Sequence, residues 1–147
     1  MLNSVIAQLA YWITVIFVCY YSFRFGGQPE RAGAAIVIAA SVLSVIVSAI
    51  SRTNFHSVDQ GLLLVDIATW ALLMFLVLST NRFWPLWATA FHSISLLTHA
   101  VILLDSRILP AAYAVGQTLW AYPVLAALLV GSERYRRRPT PRTLRHA

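Results

Sequence analysis

Two histidines and one aspartate interrupt stretches of the chain that are otherwise apolar. His92 and His99 lie seven residues apart in "FHSISLLTHAVILLD", and Asp66 lies in "GLLLVDIATW". On a helix, seven residues turn through about 700°, so both rings project from nearly the same face, ~10.5 Å apart along the axis. That separation argues against one metal ion held by both rings, because paired ligands from a single helix come from adjacent turns. The two rings therefore need partners from other helices, and no metal site is predicted.

The depth of each polar residue along its predicted helix indicates which partners are available. Counted from the outer ends of the spans at ~1.5 Å per residue, His99 lies ~8 Å deep and His92 ~18 Å deep. Asp66 falls between them at ~12 Å, and Gln117 of the last span lies at ~14 Å. An aspartate inside a span costs roughly 2.5–3.5 kcal/mol on insertion scales, so we expect it to face the bundle interior. The predicted site is a cluster of Asp66, His92, His99 and Gln117, which either fixes helix packing or forms a ligand-binding or proton-relay site, with His99 contacting the third or fifth helix.

The distribution of charge defines the elements that position this cluster. The chain has 147 residues, of which 59% are hydrophobic and 11% charged, whereas a soluble domain carries about 25% charged residues. Three stretches have no charge at all: Met1 to Phe23, Ala32 to Ser51 and Phe83 to Leu104. Each is near or above the ~18–20 residues that span hydrocarbon as a helix. The composition therefore predicts an integral membrane protein.

The predicted fold class is all-α, a polytopic bundle of five transmembrane helices formed by residues 1–131. The spans cover about residues 4–23, 33–50, 58–79, 83–104 and 108–130. The Gly, Pro and charge cluster "RFGGQPER" predicts a loop after the first span, and Gly131 is placed to end the fifth helix. Residues 132–147 form an arginine-rich tail, which we expect to be disordered beyond about Arg138 because its prolines and like charges oppose a helix.

The placement of arginine predicts the orientation of the bundle. With the C-terminus in the cytoplasm, nine of the eleven arginines lie inside and two, Arg52 and Arg107, lie outside. This bias follows the positive-inside rule and places the N-terminus outside, in a bacterial-type inner membrane crossed several times. The tail arginines are then expected to contact anionic lipid headgroups, the candidates being Arg134, Arg136, Arg137 and Arg138. No folded basic surface accompanies the tail, so a nucleic-acid partner is not expected.

Three classes of function remain open. Five short helices leave little mass for a catalytic domain, and the sequence contains no nucleophile elbow or P-loop, so we expect no enzyme and no catalytic residue. The favoured class is a small non-enzymatic membrane subunit that assembles with itself or with larger membrane partners. One alternative is an oligomeric channel or proton-coupled carrier in which Asp66, His92 and His99 form the relay. The other is a redox subunit that binds a quinone or a haem, and the sequence leaves the cofactor open.

Overall fold

The chain folds into five α-helices. The computed structural model describes residues 2–50, 60–104 and 110–138, with side chains for 5–50, 60–99 and 119–138. The helices are α1 (Leu2–Phe25), α2 (Gln28–Ile50), α3 (Gln60–Ser79), α4 (Trp84–Leu104) and α5 (Pro110–Arg136). Within these residues the fold is all-α. The predicted connections at 51–59 and 105–109, and the tail that was predicted to be disordered beyond Arg138, lie outside the described residues.

The helices pack against one another in chain order. Each helix contacts the next, α5 returns to contact α1, and α2 also reaches α5. Because the connections after α1 and α3 are short, successive helices run in opposite directions. One end of the bundle therefore gathers the last turns of α1, α3 and α5 and the first turns of α2 and α4. We call it the basic end, since Arg24, Arg31, Arg82 and the arginines from Arg134 to Arg138 lie there.

The apolar core lies in the half of the bundle next to the basic end. All five helices contribute buried side chains to it: Val15, Val18, Cys19, Ala34, Val37, Leu73, Leu76, Trp84, Ala88, Val124, Leu125 and Leu128. Along each helix these residues recur at steps of three and four, which places them on one face. Ala34 and Ala88 are fully buried, and such small side chains let neighbouring helices approach closely.

Most of the apolar surface of the first three helices faces outward. Three helices of the described chain are long and apolar enough to cross a membrane, over Val5–Phe25, Gln28–Ile50 and Gln60–Ser79. Only 22%, 22% and 17% of the residues in their most apolar windows are buried within the chain. A soluble monomer rarely exposes apolar surface this extensive, whereas hydrocarbon accommodates it. This pattern indicates a membrane protein.

Helix α2 begins at Gln28, earlier than the start near residue 33 that the sequence predicted. Pro29 falls in its first turn, where the missing N–H costs nothing. The Glu30 side chain turns back so that Oε2 accepts the N–H of Gly27 at 2.9 Å, which is one half of a capping box. Half of the eight-residue predicted loop is thus the first turn of α2, two further residues end α1, and only Gly26 and Gly27 separate the two helices.

Helix α5 continues through Gly131, where the sequence predicted its end, and reaches Arg136. A Cβ atom at Gly131 would collide with the side chain of Trp84, so this glycine allows α4 and α5 to pack closely. Glu133 supports the last turn by pairing with Arg136 and Arg137. The first residues of the predicted tail, 132–136, are therefore helical.

Candidate functional site

Asp66 of α3 and two histidines of α4 form one hydrogen-bonded group, which we call the Asp66 cluster. His99 Nε2 lies 2.8 Å from Asp66 Oδ2, and His92 Nε2 lies 3.0 Å from the backbone oxygen of Asp66. The side chain of His99 is 0% exposed, while those of Asp66 and His92 are 19% and 13% exposed. The cluster therefore extends from the edge of the bundle to its interior.

The geometry of the Asp66 cluster determines which atoms carry hydrogen. A backbone carbonyl oxygen only accepts, so His92 Nε2 must be the donor in its bond to Asp66. The same nitrogen lies 4.0 Å from Asp66 Oδ1, which places the carboxylate between the two rings. A carboxylate between two imidazoles can hold a proton or pass one between the rings. It can equally satisfy the buried polar groups of two packed helices.

These contacts confirm that α3 and α4 pack with Asp66 and the histidines facing each other, and that His99 contacts the third helix. A further bond joins the same two helices, because Trp70 Nε1–H donates to Ser93 Oγ at 2.9 Å. Gln117 lies in α5, but its side chain is outside the described part of the chain. Its membership in the cluster stays a prediction.

A second buried polar group lies at the basic end, and the sequence analysis did not single it out. Glu30 of α2 is 1% exposed, and its Oε1 accepts Trp84 Nε1–H from α4 at 3.1 Å. Arg82 Nε lies 3.8 Å from the same oxygen. We call Glu30, Arg82 and Trp84 the Glu30 cluster. Its hydrogen bonds and its nearby positive charge offset the cost of burying a carboxylate.

Two glycines shape the space around the indole of Trp84. A Cβ atom at Gly33 of α2, or at Gly131 of α5, would meet atoms of that side chain. The side chain therefore lies against the backbones of two helices while its N–H reaches Glu30. The sequence placed both glycines at helix boundaries, Gly33 at the start of the second span and Gly131 at the end of the fifth helix. The signal that was available is a glutamate three residues after a glycine and next to a proline, the pattern of a helix start.

Two of the four arginines predicted to contact lipid, Arg136 and Arg137, pair with Glu133. Arg136 Nη2 and Arg137 Nε lie 2.9 and 2.5 Å from Glu133 Oε1, and the Tyr21 hydroxyl of α1 donates to Glu133 Oε2. Hydrogen bonds from Arg136, then Tyr21 and Arg137, lower the pKa of the Glu133 carboxyl from 4.5 to about 2. Arg136 faces α1, since its guanidinium lies over the rings of Tyr21 and Phe25.

The other two arginines, Arg134 and Arg138, line a groove of about 480 Å³ between α4 and α5. Within the described residues neither has an acidic partner. Arg82, Asn81 and Tyr135 complete the polar rim of the groove. Its walls are apolar and include Trp87, Phe91, Pro123, Ala126, Ala127 and Val130. The groove thus joins a positively charged mouth to an apolar interior.

No family model, curated protein or solved structure matches the chain. Its class is defined by the features of the described residues, which are all-α and include three helices that can cross a membrane and two buried polar clusters. Among the described residues, no three His, Cys, Asp or Glu side chains are grouped so that they could hold a metal ion.

Proposed function

We propose that the protein is a small non-enzymatic integral membrane subunit with five spans, which assembles with itself or with larger membrane partners. The observation that carries this proposal is the hydrogen bonding of the buried polar side-chain atoms. Every buried side-chain nitrogen or oxygen of the described residues has a hydrogen-bond partner. Several of the hydrogen bonds join different helices, and the outward apolar faces are the surfaces available to lipid or to another subunit.

The proposed orientation places the N-terminus outside and the basic end in the cytoplasm of a bacterial-type cell. Support comes from the arginines of the described chain, which gather at one end of the bundle, as the positive-inside rule expects. Arg52 and Arg107, which the proposal assigns to the external side, are not among the described residues. With this orientation the Asp66 cluster lies in the outer half of the membrane and joins the third span to the fourth.

Assembly can be tested by disulfide cross-linking in native membranes. Starting from a Cys19→Ala background, single cysteines replace Ile13, Leu64 or Leu78, which are 66%, 66% and 80% exposed. We expect at least one of them to link two copies of the chain, or one copy to a second protein. Leu73→Cys is the matched control, because Leu73 is 1% exposed and should not react. The proposal is contradicted if none of the three cysteine variants forms a cross-link and if the protein purified in native-membrane nanodiscs is a monomer without a second protein.

A proton-coupled channel or carrier is the second candidate, favoured by the gradient of exposure within the Asp66 cluster. Asp66→Asn removes the charge but keeps the shape and part of the hydrogen bonding. If the cluster only packs helices, Asp66→Asn should cost under about 1 kcal/mol, whereas Asp66→Leu should cost about 1–3 kcal/mol by leaving His99 Nε2 without its acceptor. If the cluster conducts protons, the lumen of liposomes that contain the wild-type protein should acidify when the outside is made acidic. Asp66→Asn should abolish that proton flux while the fold persists.

The redox class receives less support from the geometry. A haem held between helices takes a ring nitrogen from histidines that face each other, whereas the Nε2 atoms of His92 and His99 both turn to Asp66 on α3. A Soret band in the protein purified from native membranes would restore the haem alternative.

A further inference from the structure

We propose that the groove between α4 and α5 binds one anionic membrane lipid. Its phosphate would lie among Arg82, Arg134 and Arg138, and an acyl chain would follow the apolar walls. The inference rests on the membrane residence in the proposed function, but not on assembly with other subunits.

The charge of the rim is the first argument. Arg134 and Arg138 lie four residues apart, so they share one side of the chain at the end of α5, and neither has an acidic partner in the described residues. Arg82 reaches the same rim from the connection just before α4, with its guanidinium 5.1 Å from the ring centre of Tyr135. Planar guanidinium groups match the paired oxygens of a phosphate.

Glu30 also borders the groove, and its negative charge opposes the binding of an anion. The carboxylate is 1% exposed and already accepts hydrogen bonds from Trp84 and from the backbone of Gly27. It therefore contributes a single compensated charge beneath three arginines. The potential at the mouth stays positive, and the shielded carboxylate gives Arg82 a fixed position.

The shape of the walls is the second argument. On α4 the groove lining runs from Trp84 to Phe91, ~10.5 Å of helix, which is about two-thirds of one leaflet of the ~30 Å hydrocarbon core. Aromatic rings of Trp87 and Phe91 face the small side chains of Ala126 and Ala127 on α5. Large side chains on α4 and small ones on α5 leave an elongated apolar cleft, which an acyl chain can fill. A rim of phosphate-binding groups above such a cleft selects a lipid over a free anion.

The test measures lipid retention by native mass spectrometry of the full chain in neutral detergent. Phosphatidylglycerol is titrated as the anionic lipid and phosphatidylcholine as the neutral one. Arg134→Gln with Arg138→Gln should weaken phosphatidylglycerol binding about 30-fold, since each arginine near an anionic headgroup contributes about fivefold. Arg136→Gln with Arg137→Gln removes the same charge and should change binding less than about twofold, because Glu133 already engages both. Ala126→Phe fills the cleft without changing charge and should also abolish retention.

Several outcomes would overturn the site. Equal losses for the two arginine pairs would mean that the tail attracts lipid only by its total charge. Equal binding of both lipids by the wild-type protein, undiminished binding by Ala126→Phe, or displacement by millimolar inorganic phosphate would each exclude a lipid held by headgroup and chain. Arg134→Lys with Arg138→Lys keeps the charge but not the paired hydrogen bonds, so it should bind phosphatidylglycerol more weakly than the wild-type protein and more tightly than the glutamine pair, which separates lost charge from a misfolded helix end. Failure of the wild-type protein to enter membranes would instead contradict the proposed function itself.

Discussion

Replacement of Glu30 by alanine should lower the free energy of unfolding by about 2–4 kcal/mol. The carboxylate accepts Trp84 Nε1–H at 3.1 Å and Gly27 N–H at 2.9 Å. A buried donor that loses its acceptor costs roughly 1–3 kcal/mol, and the substitution leaves two such donors. We take the lower part of that range for each donor, because the cluster lies at the end of the bundle. Arg82 is 18% exposed and can turn to solvent, so its lost ion pair adds little.

A double-mutant cycle isolates the bond between α2 and α4. Trp84→Phe removes the donor but leaves Glu30 with Gly27 and Arg82. The double variant with Glu30→Ala should lose about 1 kcal/mol less free energy of unfolding than the sum of the two single variants, since the two residues share one hydrogen bond. Glu30→Gln keeps one acceptor oxygen, which can serve Trp84 or Gly27 but not both. Glu30→Gln should therefore lower the free energy of unfolding by about half as much as Glu30→Ala.

The assay is reversible unfolding in mixed micelles of a mild detergent and dodecyl sulfate, followed by far-ultraviolet circular dichroism. Leu78→Ala is the control, because Leu78 is 80% exposed and should change stability by under about 0.5 kcal/mol. A Glu30→Ala variant within that margin of wild type would refute the reasoning. Strict additivity of Glu30→Ala and Trp84→Phe would refute the hydrogen bond between them.

Three further results are expected. The pKa of Glu133 is about 2, below its ordinary 4.5, so its pairing stabilises the end of α5 fully above about pH 4.5 and not at all once the pH has fallen through 2. As the pH falls from 4.5 to 2, the amide-exchange rate in the last turn of α5, corrected for its intrinsic rate, should rise. Glu133→Gln should remove this pH dependence. Gly131→Leu should cost at least about 1–3 kcal/mol by overpacking against Trp84, measured in the same micelles. A reporter fused at the C-terminus should be active in the cytoplasm and one at the N-terminus outside, and the reverse would invert the proposed orientation.

The contact between Asp66 and His99 was predictable from the sequence because two independent constraints meet there. The short connection between the third and fourth helices makes them antiparallel neighbours. The two residues lie at similar distances from that connection, so a common rise per residue brings them to the same height. Ionisable groups inside apolar helices must then find each other or remain unpaired.

The Glu30 cluster was not predictable in the same way, because its local signals are ambiguous. The segment "GGQPER" has the composition of a loop and also the pattern of a helix start. Gly131 likewise suits a helix end or a close helix crossing, since both exploit a missing Cβ atom. The choice depends on Trp84, which lies 54 residues from Glu30 along the chain. Only the packed bundle shows which role each residue has.

Helix α4 is the element that both clusters hold in place. Its first residue, Trp84, is bound to α2 through Glu30, and His99, four turns further on, is bound to α3 through Asp66. Between these points the helix packs mainly through apolar and small side chains, with two further bonds to α3 at His92 and Ser93. In hydrocarbon such packing gives little preference for one register over another, because lipid tails are as apolar as the side chains they replace. A hydrogen bond at each end fixes the register, since sliding α4 by one turn would break both bonds at once. The clusters therefore determine how α4 sits in the bundle, and with it the shape of the groove that α4 forms with α5.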